Sequence, residues 1–243
     1  MDRLIYTAVS GANRSLVQQR IHANNLANAN TQGFRADLER ATATAVAGAG
    51  YASRYLVSSE NGGINMAAGT LQETGRELDI AVQGAGLIAV SDGRRERYTR
   101  NGHIDIDDMG NLSISGKPLL GEDGPIQLPP FSQLAIGNDG TITVIPEDGN
   151  VAAAQDVARI KLVSLPDAQL RKNNDGWLVG PRATAAHSEQ VQIVSEHLEA
   201  SNVSAVNEMV QTLALSRQFE AQIKMMKAAD TLAQSGNRLL RAS

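Results

Sequence analysis

Gly84-Ala-Gly86-Leu-Ile-Ala89 follows a stretch of strand character and matches the G-x-G-x-x-A form of a dinucleotide-binding turn. That chemistry requires a helix to begin at the turn, so that its free N–H groups face a pyrophosphate. Here Val90-Ser-Asp-Gly93-Arg-Arg follows, a strand end and a turn, so the pattern reads as a tight connection between strands. Asp105-x-Asp107-x-Met109-Gly110 opens like a calcium loop, but the fifth position is Met109 and the twelfth, which needs a bidentate glutamate, is Gly116. His22, His103, His187 and His197 include no i,i+4 pair and no H-E-x-x-H context. Ser188 and Asp92 lie in no nucleophile-elbow pattern. The absence of cysteine removes thiolate nucleophiles, thiolate metal sites and disulfides together. No catalytic residue, metal or cofactor is expected, and the chain reads as a non-enzyme.

Bulk properties narrow the partners. The net charge is −4, and residues 41–195 carry all of the excess, with twelve bases against eighteen acids. That argues against nucleic acid or an anionic membrane as the main partner. The one basic cluster, Arg94-Arg-Glu-Arg97-Tyr-Thr-Arg100, fits a solvated strand edge or a salt-bridging contact to a neighbour. No stretch approaches the roughly 20 apolar residues of a membrane helix. Nor does Met1-Asp2-Arg3 lead into a continuous apolar block, so no cleaved signal and no membrane insertion are expected.

The two ends of the chain have a helical period. Ile5, Val9, Ala12, Leu16, Gln19, Ala23 and Leu26 recur at steps of four and three, and so, more loosely, do Val206, Met209, Leu213, Phe219, Ile223, Met226, Ala233 and Leu240. The first helix is expected over 3–30, closing in the Asn- and Gly-rich Asn28–Gly33. Residues 35–47 have an alanine-rich, helix-like texture, and Gly48–Gly75 reads as an extended connector with room for one hairpin. Between Leu78 and Val194, short apolar runs alternate with Asp-Gly and Asn-Gly turns, the pattern of antiparallel hairpins. The last helix, capped by Ser201 or Ser204, runs to the end. The expected class is therefore α+β: long N- and C-terminal helices forming a coiled-coil layer, with a central all-β domain of sandwich or barrel type. The expected division is 1–34 N-terminal helix, 35–75 connector, 76–195 β domain and 196–243 C-terminal helix.

Three segments in order resemble the rod and hook family of the bacterial flagellum. They are Ser10-Gly-Ala12 with Ala23-Asn24-Asn25-Leu26-Ala27-Asn28-x-x-Thr31-x-Gly33-Phe34-Arg35; Leu78-Asp79-Ile-Ala81-Val-Gln-Gly84-x-Gly86 with Tyr98-Thr99-Arg100-Asn101-Gly102; and Leu198-Glu199-x-Ser201-Asn202-Val203, leading through Glu208-Met209-Val210 and Arg217-x-Phe219-Glu220. Within the family, the opening Met1–Ala8 and Gly33-Phe-Arg-Ala36 are most similar to a proximal-rod member, with a distal-rod member as the alternative. Gly86-Leu-Ile88 departs from the Gly-Phe-Phe frequent in the family but keeps an apolar strand. The resemblance implies a structural subunit of a hollow, helically polymerised rod spanning the periplasm. Its terminal helices would make the inner layer and its β domain would lie outside. The implied partners are other copies of the chain, neighbouring proximal and distal rod proteins, and the flagellar type III export apparatus, which passes the chain unfolded. The apolar helix residues above would then be subunit-interface positions. Asn24, Asn25, Asn28, Gly33 and Phe34 would form a junction where the first helix ends, with plain helix capping as the other reading. From another class, a carbohydrate-binding β domain on coiled-coil arms, as in a phage fibre, would require exposed aromatics; Trp177 and four tyrosines offer few.

Overall fold

The computed structural model describes residues 2–45, 55–147, 153–173 and 175–241, which fall into two compact units. The first unit gathers both ends of the chain. It holds α1 (Asp2–Ala27), the hairpin strands β1 (Asp37–Ala45) and β2 (Tyr55–Ile64), and α2 (Ala205–Arg241).

The two helices lie side by side and antiparallel. His22 Nδ1 sits 2.5 Å from Glu208 Oε2, and Ser15 Oγ donates to Gln222 Oε1 at 3.4 Å. On α1 the covered or half-covered positions along the seam include Ile5, Ala8, Ala12, Ser15, Gln19, His22 and Leu26. On α2 they include Glu208, Thr212, Leu215, Phe219, Gln222, Met226, Ala229 and Ala233. Both sets step by three and four, a seven-residue period that keeps one seam facing the partner over many turns. Small side chains let the backbones approach closely: a Cβ on Gly11 would stand 2.7 Å from Gln222 Nε2. Strand β1 packs along α1 through Glu39, which accepts from Arg14 Nε at 3.1 Å and Gln18 Nε2 at 2.5 Å.

In the second unit (Ala29–Ala36 and Ile64–Asn202) the strands are short. In chain order they are β3 (Leu71–Glu73), β4 (Ile80–Gln83), β5 (Leu87–Ser91), β6 (Glu96–Thr99), β7 (Asp105–Ile106), β8 (Leu112–Ile114), β9 (Lys117–Pro118), β10 (Phe131–Ile136), β11 (Thr141–Pro146), β12 (Gln155–Arg159), β13 (Leu162–Val163), β14 (Arg171–Lys172), β15 (Leu178–Val179), β16 (Gln192–Ser195) and β17 (His197–Glu199). They form a five-stranded sheet ordered β13-β5-β6-β15-β14, the three-stranded sheets β10-β11-β12 and β7-β8-β9, and the pairs β16-β4 and β17-β3. Strand β5 is the pivot of the core. Ile88 and Val90 enter the larger apolar cluster with Ile80, Ile104 and Ile142, while Leu87 and Ala89 enter a second cluster with Tyr98, Val163 and Leu178. Alternate side chains point to opposite faces, so a strand buried on both faces reads in sequence as an unbroken apolar run.

The structure corrects several expectations. The alanine-rich stretch after Arg35 is strand β1, because pairing with β2 and packing of Glu39 against α1 override local helix propensity. The first helix ends at Ala27 rather than residue 30, and the last begins at Ala205, with Asn207 N–H reaching Ser204 Oγ at 3.5 Å. Residues 197–199, assigned to the last helix, are a strand, because β3 supplies their backbone partners. Part of the expected connector, 46–54, lies outside the described residues. In place of one sandwich or barrel, the β unit is a set of small sheets around two apolar clusters. Gly84-Ala-Gly86 joins β4 to β5, and the Asp107–Gly110 turn joins β7 to β8, with Asp107 Oδ1 accepting from Met109 and Asn111 N–H at 2.9 and 2.8 Å.

One glycine sets a close approach in this core. A Cβ on Gly102 would stand 1.6 Å from the Ile80 carbonyl oxygen, in backbone held by the 3.1 Å hydrogen bond from Ile80 N–H to Gly102 O. Neither β4 nor the segment after β6 can yield without losing that bond. Gly102→Ala is expected to destabilise the unit by about 3 kcal/mol, seen as a lower urea midpoint. A midpoint within experimental scatter of the parent would show that the two segments can separate freely.

Candidate functional site

Two arrangements place the residues singled out in the sequence. The first lies in the β unit, where the segment after α1 and the segment before α2 are pinned together. Glu199, on β17, is 1% exposed and is the hub. Its Oε1 accepts from Arg35 Nη2 at 2.7 Å and from Gly69 N–H at 2.7 Å, and its Oε2 accepts from Arg100 Nη1 at 3.2 Å. Its backbone oxygen accepts from Gly33 N–H at 2.7 Å. Arg100 also donates to the carbonyls of Val82, at 2.9 Å, and Gly84. Asn202 completes the junction: Ala36 N–H donates to its Oδ1, and its Nδ2 donates to the Asn65 and Ala67 carbonyls, all at 2.8 Å.

Gly33 and Phe34 both belong to this junction. Gly33 has φ +67°, and a Cβ there would meet Asn101 N at 2.2 Å, so space as well as conformation requires glycine. Lys172 Nζ lies 4.0 Å from the centre of the Phe34 ring while donating to Arg35 O at 2.8 Å. Asn24, Asn25 and Asn28 lie in the helical unit. Asn25 is buried and reads both backbone groups of Asp37, donating to its oxygen at 3.1 Å and accepting from its N–H at 2.9 Å. Asn28 turns back, with N–H and side-chain amide both on the Asn24 carbonyl, at 3.2 and 2.9 Å.

The junction is buried and charged, with two guanidinium groups facing one carboxylate. Burial draws Arg100 below its ordinary basicity; Glu199 opposes that and Arg35 adds to it. Arg35 Nε, Arg35 Nη1 and Arg100 Nε have no hydrogen-bond partner. Such a cluster contributes little net stability when intact and costs heavily when one partner is removed. What it provides is position, because only one placement of residues 33–36, 65–69, 100 and 199–202 satisfies the carboxylate.

The second arrangement is the outer surface of the helices. The expected interface stripe divides. Ala12 is buried in the seam between α1 and α2, and Ile5, Leu26, Phe219, Ile223, Met226 and Ala233 are half-covered. Val9, Leu16, Ala23, Val206, Met209 and Leu213 are exposed. The side chain of Leu240 lies outside the described residues. A chain without intramolecular cover for either stripe is thus not what folds. Small residues such as Ala8, Ala12 and Ala229 share the covered face with Leu215, Phe219 and Met226, while other large apolar residues stay exposed, joined by Tyr6, Val210, Met225 and Leu232. The sequence reading missed Ala8, Ser15, Gln222 and Ala229, because a stripe drawn through large apolar residues passes over small and polar ones on the buried face, and it missed Leu215, which lies off the stripe drawn through Leu213. It also left Arg35, Arg100, Glu199 and Asn202 unassigned, although each sits in a quoted signature segment. A charged residue inside a short apolar strand was the available signal.

The histidines do not converge. His22 faces Glu208, His103 Nδ1 lies 2.8 Å from Asp79 Oδ1, His187 Nδ1 accepts from Leu162 N–H at 3.3 Å, and His197 Nδ1 lies 2.8 Å from Ser195 O. Among the described residues no group of three or more His, Asp or Glu is placed to hold a metal ion, and no helix is long and apolar enough to cross a membrane. Burial alone would raise the Asp79 carboxyl, but hydrogen bonds from Thr74, Arg76 and His103 outweigh it and hold the group below its ordinary range. A depressed folded-state value gives stability that is present above the unfolded value near 3.8 and is lost as pH falls through the folded one. Asp79→Asn should therefore be less stable than the parent at pH 7, and the gap should begin to narrow as pH falls below about 4 and close as it passes through the lower folded-state value. A gap that stays constant across an acid titration of the melting temperature would contradict this.

The comparisons with known proteins map onto both arrangements. A family model described as "Flagella basal body rod protein" matches residues 5–35, and one described as "Flagellar basal body rod FlgEFG protein C-terminal" matches residues 194–239. The two matches hold most of α1 with Arg35, and Glu199 with most of α2. The flagellar basal-body rod protein FlgF of Escherichia coli (strain K12) is 38% identical over 252 residues, covering 100% of both chains, and FlgF of Salmonella typhimurium (strain LT2) is likewise 38% identical over the same span. FlgG of Bacillus subtilis (strain 168) is 27% identical over 96% of this chain and 97% of its own. With paired terminal helices, a charged junction within the β unit, and full-length identity of this degree, the chain belongs to the FlgF family of flagellar basal-body rod proteins.

Proposed function

We propose that this chain is a non-catalytic structural subunit of the proximal rod of the flagellar basal body, and that it polymerises helically through the outer faces of α1 and α2. In the rod those helices form a coiled-coil layer of the hollow shaft, in contact with other copies and with neighbouring proximal and distal rod proteins. The chain reaches that position through the flagellar type III export apparatus. The observation that carries this reading is the apolar surface left on the helices: Val206 is 68%, Leu213 63% and Leu232 65% exposed. Isolated exposed apolar residues are ordinary, whereas a periodic row along paired helices marks a contact surface. Contacts between different faces of identical subunits do not close on themselves, so they build a filament.

The test is a deletion strain with and without the gene restored. Deletion is expected to abolish swimming and to remove complete rods from basal bodies viewed by electron microscopy. Restoration should recover both. A deletion strain that swims and carries complete rods would overturn the assignment.

A further inference from the structure

The last strands of the β unit hold its first ones in place. β16 pairs with β4 and β17 with β3, and among the described residues neither β3 nor β4 has another strand beside it. Ile80, Ala81 and Val82 of β4 are buried. Until residues 192–195 arrive, the backbone groups of β4 that face β16 would be dry and unpaired in a closed unit. Beyond β17 the dependence continues: Ala200 N–H donates to Thr70 O at 2.9 Å and Asn202 N–H to Phe34 O at 3.3 Å.

The charges sharpen it. Arg35 and Arg100 precede Glu199 by 164 and 99 positions. In the closed unit their side chains are 1% and 2% exposed. Before residue 199 is in place they are two like charges directed at one small volume, and a guanidinium does not discharge by losing a proton. A closed unit lacking Glu199 would bury both without a counter-charge, which is strongly unfavourable. The carboxylate must therefore pair with the arginines before they are dried. Bringing it there closes two long loops, an entropic cost that precedes the contacts which offset it.

We propose that residues 192–202 are a latch: the β unit cannot close until this segment arrives, and the pairing of Glu199 with Arg35 and Arg100 belongs to the step that sets the closing rate. The chain up to β15 then stays open while it waits for the two last strands. The latch stands apart from the rod-subunit reading, but its use rests on that reading. A subunit exported unfolded is kept open until residue 199 of 243 has been made.

Trp177 is the sole tryptophan and packs against the larger apolar cluster, so its fluorescence follows the β unit within the full-length chain. In stopped-flow urea jumps, Glu199→Ala is expected to slow refolding about 100-fold and to change the unfolding rate less than about threefold. Should that variant fail to fold, Glu199→Gln carries the same test with a smaller loss. A loss that falls mainly on refolding supports the latch. One that falls mainly on faster unfolding would show that the unit closes first and pairs its charges afterwards, and would overturn it. The full-length variant Arg35→Leu/Arg100→Met/Glu199→Leu has no charge to compensate and should refold at least as fast as the parent. Refolding closer to the Glu199→Ala rate than to the parent rate would also overturn the latch, because the delay would then come from lost packing. Both measurements use purified protein, so their failure is distinct from failure of the rod assignment, which the deletion strain tests.

Discussion

Glu199→Ala is expected to lower the stability of the β unit by about 3–5 kcal/mol, the largest single effect foreseen for a side chain in this protein. The carboxylate is 1% exposed and is the acceptor for Arg35, Arg100 and Gly69 N–H. Its removal leaves two buried guanidinium groups facing each other without a counter-charge, in a place where three of their N–H groups already lack partners. The arginines cannot escape by releasing a proton, since guanidinium stays charged at any accessible pH. For a unit of this size the loss corresponds to a fall in melting temperature of roughly 10 °C. Glu199→Gln keeps the shape and one acceptor oxygen, and should fall between the parent and alanine. A loss below about 1 kcal/mol for Glu199→Ala, read from urea unfolding, would show that water reaches the junction and solvates both arginines. Replacing all three residues with apolar side chains of similar volume should recover much of the loss, as expected where a buried ionic cluster fixes geometry more than it adds stability.

Val206→Asp with Leu213→Asp should leave the isolated chain folded and abolish swimming. Both side chains are exposed, 68% and 63%, so the unfolding midpoint should move by no more than about 0.5 kcal/mol. Val206 lies in the first turn of α2, where an added carboxylate interacts favourably with the helix N-terminus, so even the sign of a small change is stabilising at that position. In an assembled rod the same two positions must be covered. Each substitution then forfeits about 1.5–3 kcal/mol of apolar burial and places an unpaired charge in a dry contact, which costs more. Repeated at every subunit, that is enough to prevent polymer growth. The result is read by swimming in soft agar, rod particles by electron microscopy and thermal unfolding of the purified variant. A variant that swims, or one whose isolated form is destabilised by more than 1 kcal/mol, would show that this face is not an intersubunit surface.

These two predictions draw on different parts of what could be read before the structure. Val206 and Leu213 were legible, because large apolar residues at helical spacing announce a face that seeks cover. Which cover each residue receives was not. Ala8, Ala12 and Ser15 fill the intramolecular seam because helices approach most closely where side chains are small, and a hydrophobicity pattern ranks those residues low. Glu199 was visible only as a letter in a signature segment. The reason for an acid there lies 164 positions away at Arg35 and 99 positions away at Arg100. The stretch after Arg35 was misread for the same reason: its alanines favour a helix locally, and the competing partner, β2, is remote in sequence.

The residues alone determined that both termini are helical and periodic, that a hairpin-rich apolar core lies between them, and that no catalytic constellation is spelled out along the chain. Those properties follow from side-chain type, turn chemistry and local spacing. The tertiary structure alone decided which helix face is covered within the chain and which stays exposed, and that one carboxylate joins the segment leaving α1 to the segment entering α2. Both depend on groups that meet across long stretches of sequence, where close approach and the cost of a buried unpaired charge act only after the chain has folded.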